Sequence, residues 1–174
     1  MFLIHESFAS GKTIVWYLKA FPDAAHASDK DTRCSVTGFI IYFCGAPISW
    51  RSRIQRSVTL SSAESECIAI GDVVKEIMYA RNILRSVGIQ IGLPVVVNVD
   101  NMGAIYIANN TGSSIRTKHI DINWHYIKEH AKNGVVLIRF IGTDDQDGDI
   151  MTKNVTAPIY NRHSAKLLGK PTSS

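Results

Sequence analysis

The 174-residue sequence predicts an α/β domain: a five-stranded mixed sheet, its first three strands antiparallel, with flanking helices. Three observations predict it. Strand-forming runs joined by short turns come first, one long stretch of helical period follows, and single strands then alternate with helices.

Residues 1–13 are weakly patterned. Thr13–Phe21 (TIVWYLKAF) is rich in strand formers, and Pro22-Asp23 is expected to end that strand because proline cannot donate to a ladder. Polar residues 26–34 read as a loop. Ser35–Cys44 (SVTGFIIYFC) is the second strand, Gly45-Ala46-Pro47 a turn, and Ile48–Ser52 the third strand, so the three form a meander. From Ser62 to Val87 the period changes. Ile70, Val73, Ile77, Arg81 and Leu84 recur in steps of three and four, the spacing of an amphipathic helix, with Gly88 at its stop. Leu93–Val99 reads as a buried strand, Asn101–Asn109 as a short helix, Ile120–Lys132 as a further helix stopped near Gly134, and Val135–Ile141 as the fifth strand. From Asp144 the chain is expected to be helical in parts, broken around Pro158. The expected organisation is an N-terminal segment (1–13), one domain (14–154) and a partly helical tail (155–174).

Composition narrows the function classes. An apolar share of 45% suits one well-buried core, and a net charge of +4 permits a polyanionic partner while fitting an ordinary solvated surface equally well. Cys34, Cys44 and Cys67 form no CxxC pair, which argues against a disulfide framework or a zinc site and for a reducing compartment. The opening apolar run is too short for a signal peptide, and no stretch approaches a membrane span. The expected location is intracellular, cytoplasmic or nuclear, not secreted and without a membrane partner. Gly11-Lys12-Thr13 is not a phosphate-binding loop, because position 6 is Glu where that loop requires Gly.

Four acids stand at or near element ends: Asp23, Glu66, Asp100 and Asp149. Converging, they would offer oxygen ligands to hard cations such as Mg²⁺. Two such ions roughly 4 Å apart activate water and stabilise a leaving oxygen in phosphodiester cleavage. Glu66 is preferred over Glu64 on pattern. Ser61-Ser62-Ala63-Glu64 fits a capping box, which gives Glu64 a structural task, whereas Glu66 shares the core-facing stripe of Ile70, Val73 and Ile77. A half-buried carboxylate there is costly unless paired or metal-bound. Other uses stay open: Asp100-Asn101 also fits a helix cap, and Asp144, Asp145 and Asp147 fit a helix N-terminus.

The blocks DAAHASDKDTRCSVTGF, GAPISWRSRIQ, VTLSSAESECIAI, VDNMGAIYIANN, RTKHIDINWHYI and GTDDQDGDIMTK, in this order, resemble the ribonuclease H domain of copia-type retrotransposon Pol polyproteins over about Phe21–Lys153. The tail block YNRHSAKLLG resembles that of some members. The resemblance implies a ribonuclease H-like fold and an endonuclease that hydrolyses the RNA strand of RNA/DNA hybrids, with two Mg²⁺ ions or Mn²⁺ in their place. It implies that Asp23, Glu66, Asp100 and Asp149 are catalytic and hold the metals, that the products carry 5′ phosphate and 3′ hydroxyl, and that a reverse transcriptase polymerase domain is a partner. Asp23-Ala24-Ala25 departs from the DAD common in the family, and Asp147-Gly148 replaces an apolar-Ala pair. Gly148 is expected to weaken a helix there by about 1 kcal/mol and so loosen Asp149. Residues 1–20 do not match the family's approach to the first strand, and the expectation is a truncated or host-retained copy without a preceding polymerase, integrase or protease. The alternative function is an inactive relic that binds nucleic acid or protein.

Substrate contacts are expected from Asn101, Arg116, Lys118 and His119, the last three within or beside the family's TKHID block before a helix, where basic groups and N–H donors suit phosphates. Arg51, Arg53 and Arg56 are divided evenly between phosphate contacts and a solvated edge. Recognition of the hybrid is expected through shape, phosphates and 2′-hydroxyls. His119, His125 and His130 lack zinc spacing. The loop Gly142–Asp145 lacks the mobile histidine that some ribonucleases H carry. Trp50 and Trp124 read as core or rim aromatics.

Overall fold

The computed structural model describes residues 15–109 and 118–169, with side chains at 107–109 and 118–121 left aside. The sheet has the order β3-β2-β1-β4-β5. Strands β1 (Leu18–Ala25), β2 (Val36–Phe43) and β3 (Ala46–Ile54) form the antiparallel meander. Helix α1 (Ser62–Ser86) carries the chain across to β4 (Val95–Val99), which lies parallel to β1. Helices α2 (Met102–Asn109) and α3 (Lys118–Lys132) lead to β5 (Val136–Phe140), parallel to β4. Two short 3₁₀ turns, Thr143–Asp145 and Asp147–Met151, precede α4 (Ala157–Leu167). The fold class and strand arrangement agree with the pattern in the sequence.

Local chemistry explains the connections. Cys44 and Gly45 both take positive φ (48° and 86°), so the β2–β3 hairpin turns on two residues and Ala46 and Pro47 already belong to β3. Helix α1 opens on Ser61, whose hydroxyl accepts the Glu64 N–H, while the Glu64 carboxylate accepts the Leu60 N–H at 2.7 Å. Its other end closes on Gly88 (φ 83°). There the Ile89 N–H donates to the Leu84 carbonyl and the Gly88 N–H to that of Arg85.

One sheet face carries Leu18, Ala20, Phe39, Ile41, Val95, Val97, Val99 and Val136, at the period of two expected of strands. Against it packs the α1 stripe of Cys67, Ile70, Val73, Val74 and Ile77, with Ile127 of α3. Arg51 and Arg53 point from β3 towards this helix and pair with Glu76 and Asp72, so these two arginines clamp β3 onto α1. Trp50 is exposed, and Trp124 packs at the margin of the core under Lys128.

Three expectations need correction. Strand β1 does not end at Pro22-Asp23 but continues to Ala25, because pairing with β2 runs through Pro22↔Phe39 and Asp23↔Gly38. The parallel ladder to β4 is formed at Lys19↔Val96 and Ala20↔Val97, so Pro22 sits where one side of β1 has lost its partner and a missing N–H is tolerated. Pro158 does not break a helix; it stands in the first turn of α4, where its fixed φ suits the helix. The break falls before it, at 154–156.

Gly148 is the third. A Cβ on it would lie 2.6 Å from the Phe21 carbonyl oxygen and 3.2 Å from the Asp23 Cβ. The glycine lets the 3₁₀ turn Asp147–Met151 press onto β1, and so seats Asp149 rather than loosening it. Gly148→Ala is expected to destabilise the fold by ~1–3 kcal/mol, as overpacking does. Urea unfolding of the purified domain would measure this, and an unchanged midpoint would count against the close approach.

Candidate active site

The site forms where β1 and β4 part. Beyond Ala20↔Val97 the two strands no longer pair, and the fully buried side chain of Gln146 fills the gap. Its Nε2 donates to the Pro22 carbonyl (2.9 Å) and the Asn98 carbonyl (3.3 Å), and its Oε1 accepts the Gly148 N–H (3.2 Å). One amide thus satisfies both strands and anchors the turn that bears Asp149. Sequence reasoning gave Gln146 no task, since a glutamine in a polar loop carries no mark of burial.

Three of the four predicted acids meet. One carboxylate oxygen each from Asp23 on β1, Glu66 on α1 and Asp100 just past β4 lie within 4.8 Å of one another. Asp23 and Glu66 are buried and Asp100 is half-buried. Glu66 Oε1 accepts the Ala24 N–H at 3.2 Å, while Oε2 is buried with no hydrogen-bond partner among the described residues. Asp149 is buried beside this group and joined to it through Lys153, whose Nζ lies 3.1 Å from Asp23 Oδ1 and 3.0 Å from Asp149 Oδ1. The Thr152 hydroxyl donates to the other Asp23 oxygen. Lys153 and Thr152 were noticed only as letters of the DIMTK block, because a pairing across 130 residues leaves no local signal.

The electrostatics follow from crowding. Burial, then the charges of Asp23 and Asp100, push the Glu66 carboxyl up to about 9, against the pull of the Ala24 N–H and Lys153. Burial and Asp23 push Asp149 up to about 6, with Lys153 opposing. Burial works against the charge on Lys153, but Asp23 and Asp149 outweigh it and hold the ammonium above its usual range. The donor set is all oxygen, and Glu66 Oε2 is buried with no hydrogen-bond partner among the described residues, so these residues fit a hard divalent ion such as Mg²⁺ or Mn²⁺.

The predicted substrate residues fare differently. Asn101 Oδ1 accepts the Ala104 N–H at 3.1 Å and caps α2. Lys118 and His119 begin α3, their side chains outside those described, and Arg116 lies outside the described residues. The tail is tied to the site's base. Asp147, buried, pairs with the buried His163 (2.5 Å) and with Lys166 (2.8 Å) of α4, and Asp145 pairs with Arg162.

The chain is 33% identical over 150 residues to a retrovirus-related Pol polyprotein from the Arabidopsis thaliana transposon RE1, a match covering 86% of this chain. This is a ribonuclease H-like domain of the copia-type Pol polyprotein family. It spans about a tenth of the length of the relative it matches. The ribonuclease H-like fold is shared with LC11-RNase H1, solved in complex with an RNA/DNA hybrid, at a TM-score of 0.55 and 9% identity, covering 78% of this chain and 93% of that one. It is shared also with the N-terminal ribonuclease H domain of a Mycobacterium tuberculosis protein, at a TM-score of 0.56 and 8% identity, covering 88% and 97%. No family model matches the chain.

The raised Glu66 sets a pH dependence. In the metal-free protein the folded state keeps a proton on Glu66 that the unfolded chain releases above the ordinary 4.5. The folded state therefore binds more protons between about 4.5 and about 9, and stability falls as pH rises through that window. Glu66→Gln is expected to flatten this slope and raise the metal-free Tm at pH 8 by ~2–4 °C, the shift that follows from about 1 kcal/mol in a chain of this size. Thermal unfolding in chelator across pH 5–9 checks it (a window on the order of the shift itself), and a wild-type Tm that climbs with pH would contradict it.

Proposed function

We propose that this domain is a metal-dependent endonuclease that hydrolyses the RNA strand of RNA/DNA hybrids. The observation that carries the reading is the meeting of Asp23, Glu66 and Asp100 from three separate elements, with one buried Glu66 oxygen left without a hydrogen-bond partner among the described residues. Asp23, Glu66 and Asp100 would hold one divalent ion, and Asp23 with Asp149 a second. Bound there, Mg²⁺ or Mn²⁺ would supply an activated water and a counter-charge for the leaving 3′ oxygen.

The chain's own residues orient this chemistry. The Ala24 N–H fixes one Glu66 oxygen, while the Thr152 hydroxyl fixes Asp23. Gln146 and Gly148 keep Asp149 against β1. Arg116, Lys118 and His119, with Asn101 at the start of α2, take the phosphates of the hybrid, and recognition by shape leaves sequence preference weak. The domain works alongside a reverse transcriptase polymerase, as expected of a piece of a Pol polyprotein. It acts inside the cell; among the described residues no helix is long and apolar enough to cross a membrane.

Asp100→Asn removes a metal ligand at little cost in shape. It is expected to reduce cleavage of a labelled hybrid in Mg²⁺ by ~10²-fold or more while hybrid binding persists. Gel analysis of the cleaved strand and a parallel binding titration measure the two. Wild-type protein that binds hybrid and never cuts it in Mg²⁺ or Mn²⁺ would leave a nucleic-acid-binding module in place of a nuclease.

A further inference from the structure

We propose that Lys153 is a resident cation holding the second metal position, so that the substrate-free domain loads one divalent ion and takes another only by displacing this side chain. The inference rests on the metal-site reading above. Lys153 Nζ sits 3.1 Å from Asp23 Oδ1 and 3.0 Å from Asp149 Oδ1, the two carboxylates that a second ion would share. An ion bound between those oxygens and an ammonium bound to both claim one place, and two cations in contact repel strongly where water is sparse.

The other corner of the site is arranged differently. Glu66 Oε2 is buried with no hydrogen-bond partner among the described residues, and Glu66, Asp23 and Asp100 have oxygens within 4.8 Å of one another. Among the described residues no cation is hydrogen-bonded to that oxygen. The two positions therefore differ, one open to a divalent ion and one already neutralised.

Lys153 also has somewhere to go. Its side chain is 38% exposed, and it borders an open recess lined by Ala25, Ser28, Asp29, Met151 and Asn154. A long flexible stem can swing the ammonium into that recess without disturbing β1 or the 3₁₀ turn. Once displaced, it stays beside the site as a positive charge facing the approaching phosphate backbone. Lys153 is thus a positioning residue that makes the second ion conditional.

The test is metal binding without substrate. Wild type, Lys153→Met and Lys153→Gln are titrated with Mn²⁺ alone, and the free ion is followed by electron paramagnetic resonance. Lys153→Arg serves as the charge-preserving control, and circular dichroism verifies folding of each variant. Wild type and Lys153→Arg are expected to take up one ion per chain where Lys153→Met and Lys153→Gln take up two, the second site tightening about tenfold or more. Two ions bound alike by all four proteins would overturn the role of Lys153 and leave the metal site intact. Failure of every variant to bind Mn²⁺ would overturn both. If one neutral variant fails to fold, the other carries the comparison.

Discussion

Everything at this site follows from placing like charges together out of water. Asp23, Glu66 and Asp100 converge, with Asp149 beside them, although burying even one ionised carboxylate is costly. The chain offsets the crowding in three ways. Lys153 bridges Asp23 and Asp149, the Ala24 N–H and the Thr152 hydroxyl bond to Glu66 and Asp23, and Glu66 holds its proton well above the ordinary range. One Glu66 oxygen remains buried with no hydrogen-bond partner among the described residues.

That concentration of charge needs rigid support. The β1–β4 ladder has ended before Asp23, which opens a notch in the middle of the sheet. An unpaired notch would leave backbone carbonyls unsatisfied, a cost comparable to lost hydrogen bonds. Gln146 closes it with one amide, and Gly148 lets the following turn lie directly on β1. Behind the turn, Asp147 is locked to α4 by His163 and Lys166, so the tail helix braces the element that carries Asp149. Arg51 and Arg53, which the sequence leaves divided evenly between phosphate contacts and a solvated edge, pair with Glu76 and Asp72 and hold β3 to α1.

Much of this was legible in one dimension. Period two and period 3.6 separated the strands from α1, and Gly88 marked the helix stop, because local backbone chemistry writes those signals into neighbouring residues. The division of labour between Glu64 and Glu66 was legible for the same reason: one acid fits the capping position and the other falls on the buried stripe. Strand ends were harder to place. Pro22 carries a real stop signal, yet the strand runs on, since that signal depends on whether a neighbour requires the missing N–H.

The sequence by itself determined the element order and the family, and it singled out four acids as candidates. Only the tertiary structure decided which of them share a point, that Lys153 stands between Asp23 and Asp149, and that Gln146 and Gly148 are what seat the last acid. The reason is range. Periodicity and capping act over a few residues, whereas charge pairing, close backbone approach and the filling of a sheet notch join residues more than a hundred positions apart, and nothing in their immediate neighbours records it.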